Sequence, residues 1–144
     1  MDFVTFYRHL QKLNEMNTAI LIANGLVLLT FIMHTFGGDR EYKSIEPEKD
    51  NVPNLEKWTM GRGAFHIVSV DFLLASIGLT LINFTDYFTD KKLILNILAL
   101  YFAAYGIAFF LTLVVSRKFP NSFIRLGQWL LMLLISGLLY SGIN

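Results

Sequence analysis

Hydrophobic positions along this chain gather into four long runs, roughly Thr18–Phe36, Gly63–Phe84, Leu93–Val115 and Phe123–Ile143. Each approaches or exceeds the ~20 residues that carry a helix across the hydrocarbon core of a bilayer. The third run holds no ionisable acid or base and is apolar all round. A helix with a water-facing side cannot be apolar all round. Two connections between runs, Thr85–Lys92 and Ser116–Ser122, are short. Short connections force sequential helices to lie antiparallel. The pattern predicts an all-α integral membrane protein, a four-transmembrane-helix up-down-up-down bundle forming one domain over residues 1–144.

The segment ahead of the first run reads differently. Phe3, Phe6, Tyr7, Leu10 and Leu13 recur at helical spacing, and Asp2, Arg8, Gln11, Lys12 and Glu15 fill other positions. That pattern predicts a short N-terminal amphipathic helix, lying in the headgroup plane or extending the first span into water. Asn14 or Asn17 can cap the helix that follows. The first run is too long for the apolar core of a signal peptide, and no small-x-small cleavage pattern follows it. It is therefore expected to be retained as a span. Gly37-Gly38 is expected to end the first helix. The main extramembrane loop is then 39–61, where Pro47 and Pro53 argue against one continuous helix. Trp58 stands where an interfacial aromatic anchor belongs.

Composition sharpens this picture. Eleven of the 23 acidic and basic residues fall between Asp39 and Arg62, so charge is segregated rather than spread along amphipathic faces. A net charge of +1 with no basic stripe gives no footprint for nucleic acid. The absence of cysteine excludes disulfides, thiolate metal sites, iron–sulfur clusters and haem attached through thioethers. Lys and Arg near the spans favour one side. The loops Asp39–Arg62 and Arg117–Arg125 carry eight of them, and the opposite side carries four, Arg8, Lys12, Lys91 and Lys92. The expected orientation places the larger loops in the cytoplasm and both termini outside.

Polar residues inside spans are costly and need a reason. His34 lies four residues before Gly38, and His66 lies four residues after Arg62. On antiparallel neighbours both would sit at one end, roughly 6 Å inside the boundary at 1.5 Å per residue. Thr112 and Ser116 close the third run at that end, and Arg125 and Gln128 open the fourth. Arg62, His66 and Ser69 share one helical face at i, i+4 and i+7. Asp71 stands about 140° round from His66. The candidate polar site is therefore His34, Arg62, His66, Ser69, Asp71, Arg125 and Gln128, at the end shared by the first and third loops.

Three chemistries fit these residues. His34, His66 and Asp71 could hold a haem or a metal ion, with Asp39 or Glu41 completing the set. Against this, no span carries a Glu-x-x-His or His-x-x-x-His pair. Arg62 and Arg125 could hold an anionic headgroup. Or His34, His66, Ser69 and Gln128 could hydrogen-bond one another across helices. Asp71 in a span implies a partner, a proton or a cation. Small-xxx-small pairs at Ala104/Ala108 and Gly137/Ser141 permit close helix approach within the bundle or in an oligomer. The leading expectation is a non-enzymatic binding or accessory subunit that self-associates or joins a larger membrane complex, with the lipid bilayer as its medium. The alternative is a small membrane enzyme or redox carrier using His34, His66 and Asp71.

Overall fold

The computed structural model describes residues 17–116 and 120–143. The expected N-terminal amphipathic helix lies outside the described residues. Among them all regular structure is helical: α1 (Thr18–Lys43), α2 (Val52–Phe84), α3 (Lys91–Ser116), α4 (Ser122–Arg125) and α5 (Gln128–Ser141). Three of these, α1, α2 and α3, are long and apolar enough to cross a membrane. Their outward side chains are apolar too, including Leu28, Leu29, Met33, Phe36, Ile67, Leu74, Leu100 and Val115. So large an apolar exterior belongs in lipid rather than water.

Residues 24–78 form one compact unit, and residues 17–23 with 79–143 form a second. The first is a helical hairpin. α1 does not stop at Gly37-Gly38, where the sequence predicts a break. It passes through a π-helical stretch, Met33–Gly38, and continues to Lys43. The reason is packing. A Cβ at Gly38 would overlap the ring of Phe65, and one at Gly61 would overlap the hydroxyl of Tyr42. These glycines leave room for aromatic rings where the two helices meet, so their side-chain absence serves contact rather than a turn. The connection shrinks to residues 44–51. Pro53 sits in the first turn of α2, where a missing N–H costs nothing. α2 therefore starts well before the expected Gly63. The hairpin is pinned by antiparallel rungs: Ser76 Oγ to Asn24 Oδ1 at 2.8 Å, His34 Nδ1 to Ser69 Oγ at 2.9 Å, Arg62 to Asp39, and Trp58 Nε1 to the Tyr42 carbonyl at 3.1 Å.

The second unit pairs α3 with α5. Ser136 Oγ donates to the Ala99 carbonyl at 2.7 Å, and Gly106 packs against Leu133 and the Trp129 carbonyl. Phe102, Ile135 and Leu139 are fully buried. Phe110 meets Phe123 and Trp129. The fourth apolar run is not one helix. Asn121 takes a left-handed conformation at φ 58°, α4 lasts a single turn, and Leu126-Gly127 leave helical geometry. The Trp129 indole donates to the Phe123 carbonyl at 3.1 Å, giving that group a partner where the backbone ladder is broken. At the start of α1, Asn17 Oδ1 accepts from the amides of Ala19 and Ile20, so Asn17 is the N-cap. Its Nδ2 donates to the Gly142 carbonyl at 2.8 Å.

Candidate functional site

The polar end of the hairpin is organised by a residue outside the apolar runs, one the sequence places in the first loop. Asp39 stands on α1 one residue past the π-helical stretch. Arg62 on α2 grips its carboxylate with two parallel bonds, Nε to Oδ1 at 2.8 Å and Nη2 to Oδ2 at 3.2 Å. This fork is the strong form of an arginine–carboxylate contact. His66 Nε2 lies 3.1 Å from Oδ1, and Lys43 Nζ lies 3.0 Å from Oδ2. An ionised carboxylate has about four acceptor sites. Two donors meet each oxygen, so all of them are used. An ionised carboxylate only accepts, so the His66 Nε2 carries the proton in this contact. Glu46 in the connecting turn adds a second negative charge felt by Arg62. Arg62 also lies over the Trp58 ring, 5.2 Å from its centroid.

His34 occupies a separate compartment one turn deeper. Its ring stacks on Phe65 with centroids 3.7 Å apart and planes 11° apart, and Phe72 meets it edge-on at 5.5 Å. Ser69 Oγ is the hydrogen-bond partner of Nδ1, and its hydroxyl is also 3.4 Å from the Phe65 carbonyl. When the hydroxyl donates to that carbonyl, the imidazole N–H is the donor to Ser69. Phe65 separates the two histidines in the packing, stacked on His34 and edge-on to His66 at 5.9 Å.

The structure thus brings Arg62, His66 and Ser69 onto the α1-facing side of α2, the shared face that their i, i+4, i+7 spacing defines. It joins His34 to Ser69, and His66 to Asp39. Asp71 lies half-buried on the same helix and is itself partnered. Arg125 and Gln128 belong to the other compact unit, on α4 and α5, with exposed side chains. Glu41 is exposed. Among the described residues no group of three or more His, Asp or Glu side chains has the spacing to hold a metal ion. Sequence reasoning missed the hub role of Asp39, the aromatic walls Phe65 and Phe72, and the buried Asn24–Ser76 rung. A signal existed for the last, since Asn24 is a polar residue within the first apolar run. No protein-family model, curated protein or solved structure matches the chain.

Proposed function

We propose that this chain is a four-span membrane protein acting as a non-enzymatic binding or accessory module, which self-associates or docks onto a larger membrane complex. One observation carries the reading. The acceptor sites of Asp39 are filled by Arg62, Lys43 and His66, and the Nδ1 of His34 is occupied by Ser69. Groups that act on a substrate need free lone pairs or protons facing a space. These face one another instead. Polar residues spent this way hold helices in register, as interhelical hydrogen bonds do in lipid. The exposed pairs Ala104/Ala108 and Gly137/Ser141 offer close-approach surfaces for a partner helix.

The fourth span in this proposal is α4–α5. α5 alone is 14 residues, about 21 Å at 1.5 Å per residue. The short α4 and its link are needed to approach the ~30 Å core. The Lys/Arg bias supports an orientation with both termini outside and residues 39–61, the tip of the hairpin, cytoplasmic.

The test is purification from a native membrane in mild detergent, followed by mass measurement, absorption spectroscopy and metal analysis. The expected sample is a homo-oligomer or a stoichiometric complex, without a Soret band or a bound transition metal. A monomer carrying stoichiometric haem or metal would instead establish the carrier reading through His34, His66 and Asp71.

A further inference from the structure

The hairpin contains one irregularity, the π-helical stretch Met33–Gly38, which carries His34 and ends one residue before Asp39. Its i→i+5 bonds decide which way these two side chains face. His34 and Asp39 are five residues apart. In an α-helix they would diverge by about 140° and could not both meet α2. With i→i+5 bonding, residues five apart nearly stack. Both then reach α2, His34 at Ser69 and Asp39 at Arg62 and His66.

We propose that this π turn is a register switch for the tip of the hairpin, residues 39–51. In the locked state, Asp39 holds Arg62, and the Tyr42 carbonyl accepts from the Trp58 indole. In the released state, the turn relaxes to ordinary α-helical bonding. Everything beyond Gly38 then rotates by about 100° and shifts by about 1.5 Å, one residue's worth of helix. Asp39 leaves Arg62 and His66, and Tyr42 leaves Trp58. Gly37 faces open space, so the rotation meets no side chain there. The lock is ionic, so removing the charge of Asp39 shifts the population toward release, and so does an anion that competes for Arg62. The switch is internal to one hairpin and does not depend on the binding reading above.

The chain has no cysteine, so spin labels can be placed without background. Glu41→Cys and Glu56→Cys put labels at two exposed positions, one on the tip and one on α2. In liposomes, the doubly labelled protein with no further change is expected to give one narrow distance distribution. Asp39→Ala is expected to add a second distance or broaden the first. Arg62→Gln, which keeps the carboxylate, is expected to do the same and serves if Asp39→Ala fails to fold. Deleting Gly37 removes one residue from the π turn and makes the helix regular. In that background, Asp39→Ala is expected to return to a single narrow distance. An unchanged distribution in both Asp39→Ala and Arg62→Gln overturns the proposal. So does a second distance that persists after Gly37 is deleted, because the motion then lies outside the π turn.

Discussion

Asp39 shows how much a single side chain can organise at a membrane boundary. Two cations and an imidazole converge on one carboxylate that is only 15% exposed. Ser69 plays the matching role for His34, and it is buried. Ser69→Ala removes that hydrogen bond and leaves the imidazole held only by Phe65 and Phe72. The expected loss is about 1 kcal/mol, read as a lower midpoint in thermal unfolding in detergent. The two adjacent glycines of the π turn should behave oppositely. A methyl at Gly37 meets open space, whereas one at Gly38 meets the Phe65 ring that also stacks on His34. Gly37→Ala should be neutral or stabilise by up to about 1 kcal/mol through helix propensity. Gly38→Ala should destabilise by roughly 1–3 kcal/mol, the usual cost of overpacking. Equal midpoints for these two variants would contradict the packing argument.

At the scale of elements, the two units use different devices to join helices. The hairpin of α1 and α2 is stitched by side-chain hydrogen bonds and an ionic lock. In the α3–α5 pair, the close approach depends on Gly106, where a Cβ would come within 3.0 Å of Leu133 and of the Trp129 carbonyl. Lipid tails are as apolar as the side chains, so helix association here draws on packing rather than on escape from water. A backbone carbonyl cannot move aside as a side chain can. Gly106→Val should therefore separate α3 from α5 at a cost of roughly 1–3 kcal/mol. The Trp129 fluorescence, read in a Trp58→Phe background, should shift as Phe110 and Phe123 move away from the indole. An unshifted spectrum with unchanged stability would show that α5 does not rely on close approach at Gly106. The Asn24–Ser76 rung is a gentler case, with Ser76→Ala expected to cost about 0.6 kcal/mol, the average for hydrogen bonds between membrane helices.

At the scale of the whole molecule, the deciding quantity is the number of crossings. Three helices are long and apolar enough for a span. Whether α4 and α5 make a fourth determines on which side of the membrane residue 141 lies. Four crossings place Thr18 and Ser141 on the same side, with Glu48 opposite. Single cysteines at these exposed positions, probed with a membrane-impermeant maleimide in intact cells, report this directly. Labelling is expected at Thr18→Cys and Ser141→Cys, and at Glu48→Cys only after permeabilisation. Labelling of Thr18→Cys without Ser141→Cys would mean three crossings.

What the sequence determined by itself is the medium and the helical class. Hydropathy is additive along a segment, so the runs later seen as α1, α2 and α3 need no knowledge of their neighbours. Helical periodicity is equally local, and it placed Arg62, His66 and Ser69 on one face of α2 before any partner was known. Capping is local as well, which is why Asn17 was readable. Tertiary structure decided the rest, because each remaining feature depends on how two distant segments align. Gly37-Gly38 read as a helix stop in one dimension, but opposite Phe65 Gly38 is a gap that lets the helix continue. Asp39 read as a loop residue, and it became the hub because the π turn before it in α1 faces it toward Arg62. The fourth apolar run read as one helix, and it is broken where Trp129 turns its indole to the Phe123 carbonyl. A one-residue difference in helix register changes which side chain faces which, and no sum over local sequence contains that difference.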